Sequence, residues 1–496
     1  QASYAQRSSG RRGNQLARPN PSLSFTMLAK SFLYGCICVG ILATALAIFV
    51  DKSSIIMLKG LVSTTSSDTL SRLQRTYLAA YLCAMMADWL QGPFVYALYD
   101  KYGFSREDNA SLFVAGFGSS ALFGTFVGSL ADKYGRRNFA GLYCVLYLMS
   151  CLTKHFNSFW MLMVGRITGG IATSLLFSVF DSWLVSEHTA RGFHGDQLSA
   201  SFSIAFFGNS LVAIMAGALG QYAADLMELT QLSGSIHYGG YTTPFVTANF
   251  FLILCMSLLT STWSENFGQS SKDPDNKNDG LMGAAQLVLA QPLIGLCGIV
   301  CCLFESSMFI FVFNWTPVLK EEGEPDPPFG HIFMGFMIMC MLGSRCFSLA
   351  GHHFSNERIG LYTLIVAAAC HASILLTDSV SLRLLAFFIF EMAVGLYFPM
   401  MGTMKGQIVP ESKRATIYNL YRLPLNVIVV LTLTMKLGAS TSFFITSVML
   451  AAAACAQARI IKMGGARPAT LPAPIDEEKA ELTKIGKPAE EEEENP

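Results

Sequence analysis

Six polar residues of this 496-residue chain fall at paired depths well inside long apolar stretches, and they are the groups with which it could do chemistry. Asp88 and Glu305 sit at matching depth in the first and seventh of twelve such stretches. Arg166 and Glu391 match in the fourth and tenth, and Arg422 in the eleventh matches Asn209 in the fifth. An ionisable side chain at mid-membrane costs about 2.5–3.5 kcal/mol on insertion scales, so each requires a partner or a water-filled cavity. Guanidinium groups present planar, paired donors that suit a tetrahedral oxyanion, and a carboxylate that titrates can couple a proton. Arg166, Arg422 and Asn209 are therefore candidate substrate-binding residues, with Asp88, Glu305 and Glu391 as candidate coupling residues. The competing reading is structural, with Arg166 neutralising Asp88 and Arg422 neutralising Glu391 or Glu305. At this level both readings stand.

The elements that must position these groups follow from hydropathy. Hydrophobic residues make up 52% of the chain and charged residues 14%, where a soluble protein of this size carries about 25% charged. Apolar runs occupy residues 74–98, 109–131, 138–156, 158–182, 198–221, 244–263, 291–319, 329–350, 358–377, 382–404, 413–437 and 440–461, with an extra run at 27–50. Each is long enough to cross about 30 Å of hydrocarbon as a helix, and open sheet edges cannot exist there. The expected domains are a polar, basic segment 1–26, the extra helix 27–50, an N-terminal six-helix bundle 74–263 and a cytoplasmic linker 264–290. A C-terminal six-helix bundle 291–461 and a disordered, Glu-rich tail 462–496 complete the chain. Matched depths in two sets of six are what two parallel half-bundles give, their polar groups meeting near the midplane.

Basic residues in the connecting loops divide fourteen to six when the loop after the second core helix, with Lys133, Arg136 and Arg137, is placed inside. Both core termini then lie inside, and the 27–50 run starts outside. Arg7, Arg11, Arg12 and Arg18 just before it oppose that placement and also fit a cleaved signal; a retained thirteenth helix is the expectation.

The most specific local pattern is Gly128-Ser129-Leu130-Ala131-Asp132-Lys133-Tyr134-Gly135-Arg136-Arg137 at the inner end of the second core helix. Gly128 permits close helix approach, Asp132 can cap a neighbouring helix, and Gly135 permits the turn that aims the arginines at acidic partners. Asp181 and Glu187 are the candidate partners. Such a charge cluster can hold two bundles together in one state and release them in another.

This decapeptide and the six-plus-six arrangement resemble the major facilitator superfamily. Further segments narrow the likeness: Ala87-Asp88-Trp89-Leu90-Gln91-Gly92-Pro93, Leu303-Phe304-Glu305-Ser306-Ser307, Trp315-Thr316-Pro317-Val318-Leu319 and Gly395-Leu396-Tyr397-Phe398-Pro399. With Val164-Gly165-Arg166, Phe180-Asp181-Ser182-Trp183 and Tyr421-Arg422-Leu423-Pro424, the chain is similar to the molybdate-anion transporter family over residues 27–461. The resemblance implies an all-α membrane protein that takes up molybdate by alternating access, with the first, fourth, seventh and tenth core helices lining a central cavity. It implies a multi-pass protein of the plasma membrane, with molybdate or a similar small oxyanion, lipid and protons as partners. Sulfate or an organic anion is the alternative substrate, and a non-transporting sensor the alternative class.

Other chemistry finds no support in the residues. Lys plus Arg and Asp plus Glu are both 34, so no net charge draws the chain to nucleic acid. No HExxH, GxSxG or Walker pattern marks an enzyme, and none of the thirteen cysteines has zinc-ligand spacing with partner histidines. No cofactor or metal is expected. The cysteines read as small packing residues, and His371 as a packed or interhelical hydrogen-bonding residue.

Overall fold

In the computed structural model, residues 22–50, 68–267, 276–320, 325–410, 414–435 and 437–464 are described. The N-terminal basic residues, the core of the polar linker and the Glu-rich tail lie outside them. A helix α1 (Ser22–Val50) precedes α2 (Asp68–Gln91), which continues through a 3-10 turn at Gly92–Phe94 into α3 (Val95–Lys101). Pro93 falls in that turn, where its missing N–H and fixed φ interrupt the helix without ending the span. There follow α4 (Arg106–Tyr134), α5 (Arg136–Thr153), α6 (Phe159–Ala190), α7 (Gly195–Asp225) and α8 (Thr243–Thr262). The second half comprises α10 (Pro292–Leu319), α11 (Phe329–Ala350), α12 (Asn356–Ser373), α13 (Val380–Ile408), α14 (Arg414–Thr434) and α15 (Ala439–Lys462).

Nine helices among the described residues are long and apolar enough to cross a membrane, and α4, bent by 52° beyond Gly124, makes a tenth when taken as one span. In the first half α6 packs on α4 and α5, and α8 on α2 and α5. In the second, α13 packs on α11 and α12, and α15 on α10 and α12. The halves meet where α7 crosses α11 and α14 crosses α4. Small residues allow this approach: a Cβ on Gly330 would lie 2.5 Å from the Gly217 carbonyl oxygen of α7.

Two elements were not expected from hydropathy. A helix α9 (Asn276–Ala290) occupies the end of the expected linker, and a hairpin of β1 (Thr230–Ser233) and β2 (Ile236–Tyr238) lies between α7 and α8. The hairpin closes over the loop between α5 and α6, where His237 N donates to the His155 carbonyl at 2.7 Å.

The extra helix runs parallel to α11. Tyr34 Oη lies 3.0 Å from His331 Nδ1, a Cβ on Gly335 would touch Ile37, and one on Gly40 would touch Ile338. Since α11 starts at the basic-poor face, taken here as outer, α1 also runs from the outer to the inner face. All thirteen cysteines are free thiols; seven are buried, as packing residues would be, whereas Cys38 and Cys455 are exposed. His371 is fully buried, with Nδ1 2.8 Å from the Thr446 hydroxyl and its ring against Phe390.

Candidate functional site

In the first half, Arg166 on α6 reaches across to α4. Its Nε donates to the Leu112 carbonyl at 3.1 Å and its guanidinium lies 4.8 Å from the Phe113 ring centroid. Gly116 leaves the space it fills, since a Cβ there would lie 2.6 Å from Nη2. Asp88 on α2 accepts instead from the Tyr147 hydroxyl of α5. Among the described residues no carboxylate lies within salt-bridge distance of Arg166. The Arg166–Asp88 pair of the competing structural reading does not form in this conformation. Asn209 on α7 accepts from Trp89 Nε1 at 2.8 Å, which fixes the indole one residue beyond Asp88.

In the second half, Glu305 on α10 accepts from Cys301 Sγ at 3.0 Å and from the Tyr397 hydroxyl of α13 at 3.3 Å. Tyr397 is itself fixed by stacking on Phe304, with centroids 3.8 Å apart. Lys405 of α13, which reads in the sequence as a cytoplasmic loop charge, lies 4.0 Å from Cys301 Sγ and 5.0 Å over the Tyr418 ring. Arg422 is one helical turn beyond Tyr418 on α14, exposed, and no carboxylate among the described residues pairs with it. Glu391 on α13 is 7% exposed and makes no ion pair among them. The two arginines thus remain in separate halves, α14 packing on α4, the helix to which Arg166 is bonded.

The signature loop is built differently from its expected form. Asp132 pairs with Arg136 at 2.8 Å, one turn along the chain. Asp181 accepts from Tyr77 at 3.0 Å, and Glu187 pairs with Arg191 at 2.7 Å, so neither expected acid meets the loop. Its acidic partner is Glu265, which accepts from Arg137 N at 2.8 Å and Asn138 N at 3.2 Å. A carboxylate there answers the unpaired N–H groups and positive dipole end of α5. Glu265 follows α8 in a polar stretch that reads as linker, so composition hides it. Gly135 has φ +105°, and a Cβ on it would lie 2.5 Å from the Glu265 carboxyl carbon. Gly128, expected to admit a neighbouring helix, has open space around it. These partners lie in the first half or directly after α8, and among the described residues no hydrogen bond or ion pair ties the loop to the second half.

The halves are tied at the outer face. Lys320, after α10, contacts Asp100 at 2.5 Å and Asp326 at 3.2 Å, and Lys101 contacts Asp326 at 3.0 Å. Burial alone would lower the Lys320 pKa, but the hydrogen bonds and charges of Asp100 and Asp326 outweigh it and raise the pKa above 10.5. Burial alone would raise that of Asp326; hydrogen bonds from Lys101, Lys320 and Tyr241 and the Lys320 charge bring it below 3.8. Phe113 and Phe117 of α4 meet Phe313 and Phe309 of α10 edge to face beneath this latch. Toward the inner face Arg345 of α11 lies over the Phe207 ring of α7, 5.9 Å from its centroid. The seam is closed outside.

This geometry can be set beside known proteins. Residues 36–384 match the family described as sugar transporters with 12 transmembrane helices. The chain is 33% identical to the Takifugu rubripes protein named "Molybdate-anion transporter" over 79% of its length and 83% of the relative's. A Xenopus tropicalis protein of the same name is 33% identical over 72% of this chain and 77% of its own. The chain belongs to the molybdate-anion transporter family of the major facilitator superfamily. The transporter shares its fold with a bacterial homologue of the human lysosomal transporter Spinster, with TM-score 0.61 at 14% identity over 80% and 98% of the two chains. It also resembles the D-xylose-proton symporter, with TM-score 0.58 at 12% identity over 79% and 97%. Family and fold make it a multi-pass membrane transporter and not an enzyme.

Two predictions follow from the loop and the latch. Gly135→Ala forces a side chain into a left-handed backbone against Glu265 and costs the transporter about 1–3 kcal/mol, whereas Gly128→Ala is near neutral. Thermal melting of the purified variants in detergent checks both, and equal losses contradict the account. For the latch, a carboxyl with a lowered pKa keeps its contribution until pH falls through that pKa, and a lysine with a raised pKa until pH rises through it. Distances between spin labels at the outer ends of α3 and α10 are therefore constant from about pH 5 to pH 9, and Asp326→Asn shifts them a few-fold toward separation, on the order of 1 kcal/mol for a part-exposed pair.

Proposed function

We propose that the chain carries molybdate across the plasma membrane by alternating access, with Arg166 and Arg422 as anion ligands contributed by opposite halves. The observation that carries this reading is the state of Arg166, whose guanidinium meets a carbonyl and an aromatic face but no carboxylate among the described residues. A structural arginine at this depth would be expected to spend its charge on Asp88, but Tyr147 occupies Asp88 instead. A neutral sugar, the substrate class in the description of the matching family, would leave that charge without a counterpart. A dianion supplies one, and the relatives' shared name supports molybdate as that dianion. Lys405 adds a cation beside Glu305 on the other wall.

The carboxylates take the coupling role in this proposal. Asp88 and Glu305 accept hydrogen bonds from tyrosine hydroxyls on neighbouring helices, while Glu391 is buried with no ion pair among the described residues. Glu391 is therefore the first candidate for exchanging a proton during the cycle, with Asp88 and Glu305 held for orientation. The signature loop, whose contacts stay within the first half, would engage the second half only when the outer seam opens.

The test is uptake and binding in proteoliposomes, with sulfate and phosphate as competitors for molybdate. Arg166→Gln and Arg422→Gln each weaken molybdate binding tenfold or more, a change of about 1.4 kcal/mol, and Arg→Lys at either site weakens it less. Adding Asp88→Asn to Arg166→Gln does not restore uptake. Restoration would show a structural ion pair, and binding without uptake by the unaltered protein would show a sensor.

A further inference from the structure

Arg106 is the first residue of α4, at the outer end of the seam. Its Nη2 donates to Asn314 Oδ1 of α10 at 2.5 Å, its Nε to the Leu437 carbonyl at 3.1 Å, and its guanidinium lies 5.3 Å from the Phe313 ring centroid. All three partners belong to the second half. None carries a charge. Lys101 and Lys320, the other cations that cross the seam at its outer end, are neutralised by Asp100 and Asp326. Arg106 has no carboxylate within salt-bridge distance among the described residues. One turn along α4, Asn109 is 1% exposed, and the Tyr96 hydroxyl beside it is its one polar neighbour among the described residues, at less than ordinary hydrogen-bond geometry. A buried amide in that state ordinarily costs about 1–3 kcal/mol.

We propose that Arg106, with Asn109, forms an outer docking site for the oxyanion that the closed seam occludes. Any motion that separates the halves at the outer face carries Asn314 and Leu437 away from α4. That leaves a guanidinium whose remaining polar neighbour is the Tyr96 hydroxyl of its own half, and an amide donor one turn below it. A tetrahedral dianion can replace both lost acceptors and add charge that the neutral oxygens lack. Oxyanion outside and the closed seam therefore compete for one side chain, so outside substrate favours the outer-open state. This inference rests on the oxyanion reading of the central cavity, and it places a second anion contact on the outer side of Arg166, with the Phe313 and Phe113 rings between the two guanidiniums.

Molybdate is the probe, with transport measured separately from the outer and inner faces in right-side-out and inside-out vesicles. Arg106→Gln raises the outer KM tenfold or more and leaves the inner KM within twofold. Asn314→Ala removes an acceptor yet spares the guanidinium, so its outer KM stays at or below that of the unaltered protein. A lock with no ligand role predicts that the two variants move together, since each breaks the same contact, and that result overturns the proposal. If Arg106→Gln does not fold, Asn109→Ala carries the test, with a several-fold rise in outer KM alone expected and an unchanged value contradicting it. If the unaltered protein moves neither molybdate nor sulfate, the reading of the cavity fails; if it does and the variants coincide, the docking site alone fails.

Discussion

A guanidinium set between packed helices, with no carboxylate within salt-bridge distance among the described residues, is the condition on which the rest of this structure turns. Bringing Arg166 out of water costs several kcal/mol, and the fold offsets this with one carbonyl, one aromatic face and the vacant side of Gly116. The natural counter-charge, Asp88, is held by Tyr147 instead. Two groups that would satisfy each other are thus kept apart by the α4–α6 and α2–α5 contacts. The charge left over is a resource for binding an anion, and the seam between the halves determines which face can reach it.

That seam is asymmetric in its chemistry. Its outer end combines three ion pairs among Asp100, Lys101, Lys320 and Asp326 with interleaved phenylalanines from α4 and α10, while toward its inner end Arg345 lies over the Phe207 ring. Part-exposed ion pairs are individually weak, about 0.2–1 kcal/mol, so the outer end can hold the halves together and still release them. A barrier built from one buried pair would be harder to reopen. The signature loop, tied through Glu265 to its own half, leaves the inner end free.

Much of this was legible in the chain. Hydropathy located the core helices because hydrocarbon thickness imposes one length on every span; the matched depths of Asp88 with Glu305 and Arg166 with Glu391 are an expectation of the two-half repeat. Pairing was not legible. Asp88 meets Tyr147, Glu305 meets Tyr397 and Arg137 meets Glu265 across long stretches of chain, and nothing in composition distinguishes Tyr147 from the other tyrosines. Asp181 has the right charge and the right end of its helix, yet its side chain turns to Tyr77. Lys405 and Arg106 read as loop charges under a rule that counts basic residues near span ends, and only the helix lengths show that both belong to α13 and α4. The hairpin at 230–238 is short and polar enough to pass for loop.

The central claim is that the oxyanion sits against Arg166 at the junction of the halves. An anomalous difference map at the molybdenum absorption edge, from crystals of the protein grown with molybdate, tests it directly. The account predicts one strong peak in the central cavity within hydrogen-bond distance of the Arg166 guanidinium, with Asp88 still on Tyr147. A peak elsewhere, with Arg166 closed onto Asp88, would contradict it.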